Sequence, residues 1–193
     1  MIYFTSDLHG YHSNICYGTS VWPDKETNCR KYDTVCEMNN AIVDSINSRV
    51  KKDDILIHCG DWSFGRPINA WRLRVRLNCA NIIHINGNHC NAIRKNHIIF
   101  IGEDYLPTPI QKIFSEVHEA PFKFEYGGYD FICSHYPPQP STNFNTPNTI
   151  WVHGHTHHKC DNDEIHQKYN VIDVGWDGEI YSIDEIINII KNK

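Results

Sequence analysis

The chain has 193 residues, an ordinary hydrophobic content of 40% and a formal net charge of −5 with its histidines neutral. That length suits one domain with a full core and is short for two, so residues 1–193 are expected to form a single domain rather than a disordered chain. The acidic balance, with no long basic run, disfavours a nucleic-acid partner, and no apolar run reaches the roughly 18 residues needed to span a membrane.

Taken in order, Ile2 to Ser6 reads as a first strand, ending at Asp7-Leu8-His9-Gly10. Tyr11 to Asp33 is polar and aromatic, broken by Pro23, and reads as a long loop beside that strand end. Thr34-Val35-Cys36-Glu37 has the form of a capping box, and Met38, Ile42, Ile46 and Val50 follow at helical spacing. Ile55 to Cys59 is a second strand that opens into Gly60-Asp61. Trp71 to Leu77 alternates like a strand, yet Leu73/Leu77 and Arg72/Arg76 pair at helical spacing. A helix over Ile68 to Cys79 is expected, because it would complete a crossover to the next strand, Ile82 to Asn86. That strand breaks into Gly87-Asn88-His89, and Ile98 to Ile101 is a further short strand or turn.

The second half reads differently. Phe122 to Tyr126 and Tyr129 to Ser134 flank Gly127-Gly128 as a hairpin. A loop from Pro137 to Asn148, rich in proline and asparagine, leads to the strand Thr149 to His153 and then Gly154-His155-Thr156-His157. Asn170 to Val174 and Glu179 to Ile183 read as a last hairpin, with Asp184 capping a final amphipathic helix through Ile190. The expected architecture is α/β: a four-layer α-β-β-α sandwich of two mixed sheets packed face to face, with helices outside.

Five strand ends deliver Asp, His or Asn side chains: Asp7, His9, Asp61, Asn88, His135, His155 and His157. Oxygen and imidazole donors without thiolate suit borderline divalent ions and argue against a structural zinc–thiolate site. Seven donors are too many for one ion and fit two, with one carboxylate bridging, the arrangement used to hydrolyse phosphate esters. The expected cofactors are two divalent transition-metal ions from among Mn, Fe, Zn, Co and Ni, with Mn favoured. The eight cysteines are scattered with no Cys-x-x-Cys pair, and no signal peptide is legible at the start. Reduced thiols and a cytoplasmic location are expected, with Cys90 a bystander beside His89.

The ordered set Asp-x-His, Gly-Asp, Gly-Asn-His, His and Gly-His-x-His resembles the calcineurin-like metallophosphoesterase family over nearly the whole chain. The resemblance implies that Asp7, His9, Asp61 and His157 bind one metal, and that Asp61, Asn88, His135 and His155 bind the second. Asp61 would bridge. A hydroxide between the ions would attack phosphorus in line, and His89 would act near the leaving oxygen as general acid, which makes Asp61 and His89 the catalytic pair. Asn88, His89 and His12 would contact substrate. A closer resemblance is to the small single-domain bacterial and phage phosphoesterases, carried by Asp7 to Ile15, Glu37-Met38-Asn39, His58 to Asp61 and Val174 to Asp177. Cys90 departs from the pattern, standing where an acid commonly follows Gly-Asn-His.

The expected activity is a phosphodiesterase on a small or nucleotide-like phosphoester. The competing readings are a protein phosphatase and a non-catalytic scaffold on the same fold; the oligomeric state is left open. His58 and His153 are expected in the core, His158 and the arginines Arg66 and Arg94 at the surface, and Trp62 and Phe64 in the core rather than stacked on a base. The Pro137 to Asn148 loop is weighed as a substrate contact, with Thr142 to Asn145 at its centre.

Overall fold

The computed structural model describes residues 1–19, 30–139 and 146–193. Three apolar strands, Ile2–Thr5 (β1), Ile55–His58 (β2) and Asn81–Ile85 (β3), pair in parallel with Phe4 opposite Ile57 and Ile57 opposite Ile83. Because side chains alternate along a strand, this register sends Phe4, Ile57, Cys59 and Ile85 to one face and Leu56 and Ile82 to the other. Glu116–His118 (β6) joins beside β3 in parallel, and Tyr181–Ser182 (β11) joins beside β1 antiparallel.

The second sheet runs Val171–Asp173 (β10), Thr149–His153 (β9), Tyr129–Cys133 (β8), Phe122–Tyr126 (β7). Both sheets are mixed, as expected. Their facing surfaces meet in one apolar cluster, where Phe4, Ile57 and Ile85 pack with Phe131, Ile150 and Val152. The helices Val35–Arg49 (α2) and Ile68–Arg74 (α3) cover the outside of the first sheet with Met38, Ile42, Ile46 and Leu73. On the far side, beyond Trp151 and Val171, the outer layer among the described residues is the five-residue helix Glu164–Lys168, α5. The last helix, Ile183–Lys191 (α6), instead drives Ile183, Ile186, Ile187 and Ile190 into the cluster between the sheets. No helix among the described residues is long and apolar enough to cross a membrane.

Four local expectations are corrected. The stretch after His9 is not all loop, since Ser13–Tyr17 forms a short helix (α1) closed by Gly18 at φ 68°. The reciprocal capping box stands at Ser182 and Glu185, so Asp184 is not the cap of α6; at Thr34 only the side chain caps, accepting from the Glu37 N–H at 3.1 Å. The last hairpin does not form. β10 lies parallel to β9 in the second sheet, while β11 lies against β1 in the first. Between them Trp176 is pinned by its N–H to the Ser6 carbonyl (2.9 Å) and by its indole to Ser45 Oγ (2.8 Å), which carries the chain across the sandwich. Finally, β6 and Leu106–Pro109 (β5) add strands the pattern conceals: β6 has three residues, and β5, which pairs with the expected short strand Ile98–Ile101 (β4), carries prolines that a two-stranded edge tolerates.

Under α2 and α3 lie two fully buried histidines, His58 and His84, with Nδ1 atoms 3.2 Å apart. The Gly60 N–H points at His58 Nδ1 (3.3 Å), so the pair requires His58 Nδ1 to accept and His84 Nδ1–H to donate. Burial disfavours the charged form of both: His84 is lowered to about 3, and His58, with His84 adding repulsion, falls well below the ordinary value. The unfolded chain takes up these protons near pH 6.5 and the folded chain does not, so stability falls as pH drops from about 6.5 toward 3. His84 contributes a slope of about 1.4 kcal/mol per pH unit in that window, and His58 acts in the same direction. Urea unfolding at pH 7 and pH 5 checks this: His84→Leu should flatten the dependence, and an unchanged slope would contradict it.

Candidate metal centre

The ends of β1 and β2 continue side by side past the last ladder bond. Asp7 N–H donates to the Gly60 carbonyl and His9 N–H to the Asp61 carbonyl, both at 2.9 Å. Across the sandwich, Gly154 N–H donates to the His135 carbonyl at 3.1 Å, which brings the ends of β8 and β9 to the same edge. Five chemistry-bearing residues there adopt left-handed backbone: Asp7 (φ 52°), His9 (46°), Asp61 (59°), His155 (69°) and His157 (49°). Such φ values are costly for residues other than glycine and cluster at functional sites. Here they turn consecutive side chains toward one point.

That point is tightly built. His9 Nε2 and His157 Nε2 each lie 3.6 Å from Asp7 Oδ1. Asp61 Oδ2 stands 3.4 Å from His135 Nε2 and 3.8 Å from His9 Nε2. Two groups emerge that could each hold a metal ion, Asp7–His9–His157 and Asp7–Asp61–His135. Asp7 therefore belongs to both groups, and Asp61 to the second. Asn88 reaches the second group through His135, with Asn88 Oδ1 and His135 Nε2 2.8 Å apart. His155 lies outside either tight group. It lines the cavity above them, its ring 5.0 Å from that of His135 and its backbone N–H donating to Asp7 Oδ2 at 2.7 Å. His89 also lines the cavity, whose volume is about 430 Å3, and its N–H fixes Asp61 Oδ1 at 2.9 Å.

The donors fit divalent cations. Asp7 Oδ1 is buried with no hydrogen-bond partner among the described residues, a costly position for a carboxylate unless a cation faces it. Burial alone would raise the Asp7 pKa, but the neighbouring imidazoles of His9, His157 and His135 hold it well below the carboxylate range. The same contest, burial against His135 and His9, sets Asp61 at about 2. Burial lowers His157 to about 4 and lowers His155 as well, so both present lone pairs at neutral pH. His135 differs. Burial opposes its charge, yet the hydrogen bond to Asp61 and the charge of Asp7 raise its pKa. Its Nδ1 faces the Cys59 carbonyl (2.9 Å), which leaves Nε2 as the atom that must lose its proton to ligate.

The glycines of two of the motifs are explained by space. A Cβ on Gly87 would sit 2.3 Å from Asp61 Oδ1, and one on Gly154 would sit 1.9 Å from Ser6 Oγ and 2.2 Å from Asp7 Oδ2. Gly154→Ala should therefore displace Asp7 and its loop, costing about 1–3 kcal/mol as overpacking does. Thermal unfolding and metal titration check it; a variant with wild-type midpoint and metal affinity would contradict the reading.

Other expected residues fall into distinct places. His12 is buried behind the site, stacked on Phe64 and 5.5 Å from the His9 ring, and does not line the cavity. Trp62 is core, its indole bonded to the Ala70 carbonyl, whereas Phe64 is exposed next to the His89 ring at 5.4 Å. Arg94 is held by the Gly87 carbonyl (3.0 Å) and Glu119 (3.3 Å), so it braces the Gly-Asn-His turn. His153 is buried and bonded to the Gly154 carbonyl and His166. His158 is not the exposed side chain expected: Nδ1 binds Asp161 (2.9 Å) and Nε2 the Gly175 carbonyl (2.7 Å). Burial notwithstanding, Asp161 and Asp173 raise its pKa to about 9. Residues 140–145, including the expected Thr142 to Asn145 contact, lie outside the described residues.

Three supporting residues escape sequence reading. Asp173 accepts from the Thr156 hydroxyl, the His158 N–H (2.9 Å) and the Gly175 N–H (2.7 Å), and so shapes the loop carrying His155 and His157. Its position at a strand end, like that of Asp7, was the available signal. Arg30 is partly buried, donates to the carbonyls of Asp7 and Leu8, and lies 4.6 Å over the Trp176 ring. Nothing local marks it. Cys90 is no bystander: its sulfur accepts the Asp61 N–H at 3.2 Å, and burial, then the charge of Asp61, push its thiol up to about 12.

A family model described as calcineurin-like phosphoesterase matches residues 1–174. No curated protein matches the chain. Among solved structures, a protein of unknown function from Aquifex aeolicus is similar, with a TM-score of 0.68 and 20% identity, over 98% of this chain and 99% of that one. That likeness concerns the fold.

Proposed function

The chain belongs to the calcineurin-like phosphoesterase family, which makes it a metal-dependent phosphoester hydrolase, and from that premise we propose that it is a binuclear phosphodiesterase acting on a small phosphoester. In this reading Asp7, His9, Asp61 and His157 hold one ion and Asp61, Asn88, His135 and His155 the other. The observation that carries it is the pair of ligand groups sharing Asp7, with Asp7 Oδ1 bare and buried and Asp61 Oδ2 3.8 Å from His9 of the first group. When bound, two divalent ions supply the positive charge that activates water and neutralises a phosphoryl group. The chain's own contribution is preorganisation. Asp7 and Asp61 remain ionised, His155 and His157 neutral, and Asp173 and Arg30 fix the loops that carry them. His89, at the cavity wall, would donate to the leaving oxygen, against a burial that lowers its pKa.

A diester is favoured because Lys159 is the one Lys or Arg side chain lining the cavity among the described residues. A monoester dianion would call for more positive donors than that. Mn is the ion we favour among the divalent ions that a mixed oxygen and imidazole donor set admits. A cytoplasmic setting belongs to the same proposal, on the scattered cysteines of the sequence. The test is a hydrolysis comparison in Mn2+ of bis(p-nitrophenyl) phosphate, p-nitrophenyl phosphate and a phosphoserine peptide. The diester should be cleaved at least about tenfold faster. Faster cleavage of the monoester or the peptide would replace the diesterase reading with a phosphatase.

A further inference from the structure

His89 has a second cavity behind it. This one, about 360 Å3, shares His89 alone with the metal-centre cavity and lies between the loop after β2 and the short helix Asn91–Arg94 (α4). Its volume is within the range of small-molecule sites. Its walls are of two kinds. Phe64, Pro67, Ile93 and Ile110 make it apolar, and the Phe64 ring is held flat on His12, centroids 3.9 Å apart and planes 20° from parallel. No carboxylate lines it, although the chain carries a net charge of −5. Arg66 is the cation on its rim, exposed and without a side-chain hydrogen bond or ion pair among the described residues. Arg49 and Arg94, by contrast, are spent on Glu185 and Glu119.

We propose that this cavity is the subsite for the leaving portion of the substrate, and that the portion it takes is a planar ring bearing a second negative charge, read by Phe64 and Arg66. The inference rests on the phosphodiesterase reading, in which in-line displacement sends the leaving oxygen away from the metals and past His89. A planar ring gains most from the fixed face of Phe64, because the ring it meets loses no further freedom on binding. An unpaired guanidinium on an acid-free rim selects an anion, with bidentate geometry for a phosphate or carboxylate. A nucleoside monophosphate combines both features.

Adenosine 5′-monophosphate, adenosine and ribose 5-phosphate are the probes, with affinity measured by calorimetry in Mn2+ and again with the ions chelated. The monophosphate should bind tighter than either fragment, and its binding should survive chelation. Arg66→Gln should weaken it about tenfold while sparing adenosine. Phe64→Leu, which keeps apolar volume without a flat face, should weaken both, and Phe64→Trp should restore them. Arg72→Gln, a neighbouring surface arginine, should change nothing. Binding abolished by chelation and indifferent to Arg66→Gln would put the phosphate in the metal centre and overturn the subsite. So would a monophosphate that binds no tighter than ribose 5-phosphate. Failure of the two readings is separable. Diester hydrolysis with wild-type affinities in Phe64→Leu and Arg66→Gln sinks the subsite alone, whereas the expected affinities without diester hydrolysis sink the diesterase.

Discussion

Asp61→Asn is expected to lower diester hydrolysis by at least about 10³-fold, several kcal/mol of transition-state stabilisation, and to strip both metal ions together. The reason lies in how its two oxygens are used. Oδ1 accepts the His89 N–H at 2.9 Å, and Oδ2 lies between His135 and His9, at 3.4 and 3.8 Å, where the two ligand groups adjoin. An amide can satisfy one demand at a time. If its oxygen takes the His89 N–H, its NH2 faces the cations; if it flips, N–H meets N–H. His157→Ala removes a donor from one group only and should cost one ion. Metal content after dialysis, read with circular dichroism to confirm folding, decides between them. One ion retained in Asp61→Asn with both lost in His157→Ala would reverse the assignment of the bridge.

His89→Ala should keep both ions and still lose about 10²–10⁴-fold in rate, the range for a positioned acid. Its side chain is absent from the ligand groups, and its exposed ring looks into the cavity from a backbone that Asp61 fixes. A proton delivered to the leaving oxygen matters most when that oxygen is basic. The loss should therefore be largest for alkyl leaving groups and shrink for nitrophenol, which departs without protonation. A uniform loss across leaving groups would assign His89 to charge stabilisation instead.

Much of this was legible because the ligands sit where strands stop. Ile2 to Ser6, Ile55 to Cys59 and Ile82 to Asn86 are short apolar runs closed by glycine or aspartate, and period-two alternation then orients everything downstream. The motifs locate Asp7, His9, Asp61, His135 and His157 before any coordinates, and the fold gathers them. What stayed hidden depends on partners distant in sequence. Val171–Asp173 and Tyr181–Ser182 look like two arms of one hairpin, and only the anchoring of Trp176 against Ser6 and Ser45 separates them into different sheets. Arg30 lies in a polar stretch with no periodicity, and its role comes wholly from carbonyls that the chain folds against it. Phe64 read as a core aromatic because a lone ring beside Asp61 carries no sign of which face is open.

Anomalous diffraction from crystals soaked in Mn2+ tests the central claim most directly. Two peaks are predicted about 3.5–4 Å apart, the spacing of two-metal phosphoesterase clamps. One should fall within Asp7, His9 and His157, the other beside Asn88, His135 and His155, with Asp61 shared between them. A single peak, or density at His158, Asp161 and Asp173 instead, would contradict a binuclear centre at the strand ends.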